Sequence, residues 1–134
     1  MTIARRSRPR RHRGTTMGKL GRVADKLWSE IVRSRGECEV CSKRPPGVVL
    51  QGAHGFSRRY RGTRWLPING FCLCSGCHVR YTHDPLAWDD FLRENWGALV
   101  REELRGLALL VTKRTLEEME AIVETLRAEL AAKS

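Results

Sequence analysis

Apolar positions in this chain change their period several times, and each change marks an element. Val23, Leu27, Trp28 and Ile31 recur at helical spacing and predict a helix over residues 23–34, which Gly36 ends. Pro45-Pro46-Gly47 is a turn, and Val48-Val49-Leu50-Gln51 is a short β-prone run leading into Gly52-Ala53-His54, the first strand of a hairpin. Residues 55–67 form an Arg- and Gly-rich loop with Tyr60 and Trp65 interleaved, and Pro67-Ile68-Asn69-Gly70 turns the chain again. Phe71-Cys72-Leu73-Cys74 reads as the return strand, followed by a helix from Ser75–Cys77 to about Tyr81. Asp84 caps the next helix with Pro85 at its first position, and Trp88, Phe91, Leu92 and Trp96 form its apolar face.

Gly97 interrupts, Ala98–Val111 predicts a further helix, and Thr115 with Glu118 has the capping-box pattern for the last one. In that helix Leu116, Met119, Val123, Leu126 and Leu130 recur at steps of 3, 4, 3 and 4, an a/d seam about two heptads long. Two partners suit such a seam: the chain's own core, or the same helix in a homodimer.

These elements make a small α+β protein. Residues 1–20 are rich in Arg, Ser, Pro and Gly without hydrophobic period and read as a disordered basic tail. Residues 21–96 hold the hairpin and its helices, and residues 97–134 are a C-terminal helical extension. Met17 follows the basic run and is an alternative translation start.

Charge adds a direction to this outline. The 134 residues carry a net charge of +10. Residues 1–22 hold eight basic side chains and no acid, and residues 40–83 hold seven, again with no acid: Lys43, Arg44, Arg58, Arg59, Arg61, Arg64 and Arg80. The remaining stretches are net acidic, so the excess sits on the tail and the central segment. A polyanion, most simply DNA, is the expected partner. No apolar run is long enough for a signal peptide or a membrane span, so a cytoplasmic setting is expected.

Five cysteines sharpen the picture. Cys38-Glu-Val-Cys41 and Cys74-Ser-Gly-Cys77 are two Cys-x-x-Cys knuckles, each beside a turn, and four thiolates so spaced suit one tetrahedral zinc ion. All-Cys ligation leaves no open position, so this zinc is structural, as a small folded unit with limited core burial requires. Cys72 is left over and is expected in the core.

Between and beside the knuckles lie His54, Asn69 and His78. With Lys26–Arg33, Ala53-His54-Gly55, Arg64-Trp65, Asn69-Gly70 and Leu73–His78, they make about half of the chain resemble the HNH endonucleases of the ββα-metal type, in particular the zinc-stapled phage recombination endonucleases of the NinG kind. The resemblance implies a ββα-metal nuclease domain over residues 21–96. It implies that His54 ends a strand and takes a proton from the attacking water, that Asn69 holds the loop and orients His54, and that His78 on the following helix binds a catalytic divalent ion (Mg2+, Mn2+, Ni2+ or Zn2+). Arg58, Arg59, Arg61, Arg64 and Arg80 would grip phosphates.

Two positions depart from the family pattern: Ala53 and Thr82 stand where metal ligands are common. His83 is adjacent to Thr82 but about 140° round an ideal helix from His78, and ligates only if the helix ends there. His54 as a ligand instead of a base is the other way to complete the set. The expectation is a phage or prophage DNA endonuclease; the alternatives are a non-catalytic zinc-containing DNA-binding protein and an RNA-binding one.

Overall fold

A computed structural model describes residues 16–133 of the chain. It is α+β: five helices and one two-stranded antiparallel sheet. The order is α1 (Thr16–Arg33), β1 (Leu50–His54), a 3-10 turn (Pro67–Asn69), β2 (Gly70–Cys74), α2 (Ser75–Thr82), α3 (Pro85–Trp96), α4 (Ala98–Leu110) and α5 (Leu116–Ala132).

The hairpin's register pairs Leu50 with Cys74 and His54 with Gly70. Strand alternation then sends two sets of side chains to opposite faces. On one face Cys72 joins Trp28, Ile31 and Val32 of α1 and Met119, Val123 and Leu126 of α5 in a single core. On the other, Ala53, Phe71 and Leu73 pack against Phe91 and Leu92 of α3, with Trp88 and Trp96 at the margin. The result is a sheet covered on both sides.

Most expected elements are present, with shifted ends. α1 begins at Thr16 and not near Val23, because Leu20 also packs against the core beneath α5 and extends the apolar face by one turn. The expected tail boundary at residue 20 thus falls inside a helix, while residues 1–15 lie outside the described part. α1 stops at Arg33, and Gly36 follows with φ +83°, a left-handed value that suits glycine. β1 starts at Leu50; Val49 is two-thirds exposed and only its carbonyl takes part, accepting from the Ser75 amide. Asp84 caps α3 through Ala87 N at 3.1 Å, and Thr115 and Glu118 form both halves of the capping box on α5.

The α5 seam has a partner within the chain. Met119, Val123 and Leu126 are buried against α1. Ile122 and Leu130 pack against the same core, so α5 and α1 share one hydrophobic cluster. Among the described residues no helix is long and apolar enough to cross a membrane.

Close approach of α1 to the sheet depends on two glycines, Gly52 of β1 and Gly70 of β2. Trp28 crosses both strands, and a Cβ on Gly70 would lie 2.4 Å from Val32 Cγ2 and 2.8 Å from Trp28 Cζ2. Trp28 Nε1 donates to the Leu66 carbonyl at 2.8 Å, which satisfies its polar atom in this buried place. Gly70→Ala is expected to push α1 outward at a cost of about 1–3 kcal/mol, the usual range for overpacking. Thermal denaturation of the zinc-loaded protein measures this; an unchanged midpoint would show that the contact gives way freely.

Candidate functional site

Local structure brings the four knuckle cysteines together. After Gly36 the chain turns back so that Cys38 N donates to Lys43 O and Ser42 N donates to Cys38 O, with Ser42 itself left-handed at φ +62°. Cys74 ends β2 and serves as N-cap of α2, its sulfur accepting from Cys77 N at 3.5 Å. The Sγ atoms of Cys38, Cys41, Cys74 and Cys77 all lie within 4.8 Å of one another. Those of Cys41 and Cys74 are 3.7 Å apart; a tetrahedron with Zn–S of about 2.3 Å has an edge of about 3.8 Å. The donor set and its spacing fit zinc.

Electrostatics point the same way. Burial opposes a thiolate at Cys38, yet the amides of Cys41, Cys74 and Val40 outweigh it and lower that thiol to about 6. Cys77 is pushed up to about 12, first by burial and then by its hydrogen bonds to Cys74, Cys38 and Cys41. The sulfurs compete for negative charge at close range, and a divalent cation resolves this by replacing their protons. Cys72 is fully buried in the α1-facing core and is not one of the four; burial pushes its thiol up.

Near this centre, α1 on one side and α2 and α3 on the other enclose a groove of about 770 Å³ beside β1. His54 and His78 both line it. His54, the last residue of β1, stacks on Trp28 with ring centroids 3.9 Å apart and 8° between planes. Its Nε2 lies 3.0 Å from the Arg64 carbonyl oxygen. A carbonyl only accepts, so Nε2 carries the proton and Nδ1 holds the lone pair of the neutral ring. Burial is the main cause of a His54 pKa lowered to about 4, with the charges of Arg64 and Arg58 adding to it against the Arg64 carbonyl and Asp25.

His78, in the second turn of α2, places Nδ1 2.7 Å from Gln51 Oε1. With the amide oxygen accepting, Nε2 of His78 is left with its lone pair, the tautomer a metal-binding imidazole needs. Asn69 is fully buried and takes a different part. Its Oδ1 accepts from Phe56 N at 2.8 Å and its Nδ2 donates to Phe56 O at 3.1 Å, clasping the chain just after β1. The amide therefore does not touch the His54 ring, contrary to the expectation that it orients His54; Trp28 and the Arg64 carbonyl do that.

Comparison with protein-family models, with curated proteins and with solved structures finds no match to this chain. The site is therefore read from its own geometry.

Several expected site residues are elsewhere. α2 runs unbroken through Thr82, whose Oγ1 bonds the His78 carbonyl, so Thr82 and not His83 lines the groove. His83 is an exposed C-cap and is not brought to His78. Arg64 is mostly buried and holds Asp25 of α1 with two bonds, 3.0 and 2.7 Å, so it braces the loop and does not offer itself to phosphate. Arg58 lines the groove and is largely exposed. Arg59, Arg61 and Arg80 are exposed outside it; Arg59 lies over the Tyr60 ring, Arg80 over Tyr81, and Arg61 edges a smaller cleft against α5.

Asp25, Gln51 and the stacking role of Trp28 were not foreseen. Gln51 left a trace, being a polar residue inside an otherwise apolar strand run. Asp25 sits three residues before Trp28 on the inward side of α1, which is the signal that could have found it.

Two outcomes follow. Cys41→Ser is expected to lower bound zinc from one equivalent per chain to a small fraction, and to unfold the hairpin; metal analysis with circular dichroism checks this, and full zinc retention would rule out four-sulfur ligation. The lowered His54 pKa means that the unfolded chain binds the extra proton first, so its stabilising share is complete above about 6.5 and lost as pH falls toward 4. The thermal midpoint of wild type relative to His54→Gln should therefore decline across that interval, and a pH-independent difference would contradict the burial argument.

Proposed function

We propose that this chain is a metal-dependent DNA endonuclease of the HNH, ββα-metal type, close in design to the zinc-stapled phage enzymes it resembles. The observation that carries this reading is the pair of imidazoles in one groove, each with one nitrogen tied back to the protein and the other left to react: Nδ1 on His54 and Nε2 on His78. The strand–loop–strand–helix order, with Asn69 clasping the loop between them, supports it further.

In this reading His54 is the general base. It is neutral at physiological pH, and an anionic phosphate in the groove raises its pKa toward the useful range. Nδ1 takes a proton from water as the water oxygen bonds to phosphorus. The bond from phosphorus to the 3′-oxygen breaks, and that oxygen leaves with a proton from solvent, giving a 3′-hydroxyl and a 5′-phosphate. His78 is the residue that would hold the divalent ion, which supplies charge neutralisation at the phosphate. Gln51 fixes the tautomer that makes this binding available. Asp25 is already engaged by Arg64 and Trp65. Water and phosphate oxygens would fill the remaining positions, as they commonly do around small hard cations.

Arg58, at the groove's edge, and the other exposed arginines provide sequence-independent phosphate contacts. Among the described residues no element has the character of a base-reading helix, so specificity would rest on DNA shape or on a partner. A phage or prophage origin, in the cytoplasm of a bacterial host, belongs to the same proposal and rests on the resemblance.

A second reading is favoured by one observation. Among the described residues the four cysteines are the sole group of three or more His, Cys, Asp or Glu side chains close enough to share an ion. A zinc-stapled DNA-binding protein without catalysis fits that. Cleavage of supercoiled plasmid in Mg2+, Mn2+, Ni2+ or Zn2+ separates the two. Wild type should nick the plasmid, and His54→Ala should be slower by about 10²–10⁴-fold, the usual contribution of a general base. His78→Ala should need far more metal for the same rate. Salt-sensitive binding without any cutting would favour the second reading, and equal cutting by all three proteins would remove both imidazoles from the mechanism.

A further inference from the structure

The hydrogen bond that sets the His54 tautomer is donated by Nε2 to a backbone carbonyl in a stretch with no strand or helix of its own, residues 55–66. Local bonds give this stretch only short turns: Thr63 N and Arg64 N both donate to Tyr60 O, and Leu66 N donates to Thr63 O. Such a segment does not by itself hold one carbonyl oxygen to within a few tenths of an ångström.

Rigidity comes from α1. Asp25 Oδ1 accepts from Arg64 Nε at 3.0 Å and from Trp65 Nε1 at 2.9 Å, and Oδ2 accepts from Arg64 Nη2 at 2.7 Å. Arg58 approaches the same Oδ2 at 3.9 Å. The two side chains on either side of the Arg64 carbonyl thus end on one carboxylate of an 18-residue helix. One turn on, Trp28 stacks on the His54 ring and also binds Leu66 O. Three successive loop residues and the imidazole itself are therefore referred to a single rigid element.

We propose that Asp25 is a positioning residue for His54: by anchoring Arg64 and Trp65 it aims the Arg64 carbonyl at Nε2 and so keeps the His54 Nδ1 lone pair turned to the groove. Both carboxylate oxygens accept from donors of the loop, so the part assigned to Asp25 is indirect. A bidentate guanidinium pair is well suited to the task because its planar fork fixes direction as well as distance. The catalytic consequence rests on the endonuclease reading; the consequence for the imidazole does not.

The test uses the full chain with zinc bound and two readouts, on wild type, Asp25→Asn, Asp25→Ala and Asp25→Glu. Long-range 1H–15N correlation spectra of the imidazoles at pH 7.5 report the tautomer. Wild type should show His54 as the Nε2–H form alone, and Asp25→Asn and Asp25→Ala should show a mixture of both tautomers, with Asp25→Glu partly restored. Plasmid cleavage should fall about 10–100-fold in kcat for the first two, as for other outer-shell partners, with KM within about twofold of wild type.

A pure Nε2–H ring in Asp25→Asn would overturn the proposal, whatever the activity, because the loss would then be one of general stability. If Asp25→Ala does not fold, Asp25→Asn and Arg64→Lys carry the same comparison. If wild type cleaves nothing under any metal, the endonuclease reading fails, and the tautomer spectra still decide whether Asp25 positions His54.

Discussion

A hairpin of two five-residue strands cannot stand in water alone, so everything in this protein depends on what is pressed against its two faces. α1, backed by α5, covers one, α2 and α3 the other, and the sulfur cluster pins the end where β2 becomes α2. Among these contacts Trp28 lies across a glycine of each strand, Gly52 and Gly70. It allows α1 near enough to stack on a strand-end histidine and to bind the loop behind it. Core packing and site geometry are the same contact seen from two sides.

Charge is arranged by the same helix and by the turn that follows it. Along the sequence, residues 40–83 contain basic groups and no acid, yet in space three of those arginines meet carboxylates from upstream, Arg58 reaching Asp25 at 3.9 Å. Arg64 meets Asp25, and Arg44 meets Glu37. Upstream of that segment Arg35 meets Glu39, whose carboxylate also receives the Cys72 amide. Of these, Arg64 is mostly buried and braces the fold, while Arg44 and Arg58 stay largely exposed. Arg58, Arg59, Arg61 and Arg80 keep the exposure that contact with a polyanion requires, and Arg58 alone of them lies at the groove.

What could be read from the chain beforehand was what short-range pattern encodes. Two Cys-x-x-Cys knuckles, the Asp84-Pro85 cap, the Thr115–Glu118 box and the hairpin turn are all local, and each has its place in the fold. The errors share a cause in distance along the chain. Arg64 was assigned to phosphate because its partner, Asp25, lies 39 residues away. The N-terminal turns of α1 were missed because Leu20 acquires its meaning only from α5, about a hundred residues on. His83 could ligate only if α2 ended before it in a way that turned it toward His78, and α2 instead continues to Thr82 and leaves His83 as an exposed C-cap. Asn69 was given the right place and the wrong contact, since only the folded loop shows that its amide meets the Phe56 backbone.

Closure of the sulfur cluster has a topological meaning as well. With Cys41 and Cys74 held together, the intervening chain is a ring, and His54, Arg64 and Asn69 all lie on it. Within the ring, Ser57, Arg58, Arg59 and Arg61 are exposed on the stretch that bulges between β1 and the Asp25 anchor. A single peptide-bond break there would open the ring without releasing either piece, since the strands and the sulfurs still join them. The same stretch could grow by several residues at little entropic cost, roughly 0.6 kcal/mol for each doubling of a flexible loop. The stretch that carries the exposed arginines is thus also the part whose length the fold constrains least.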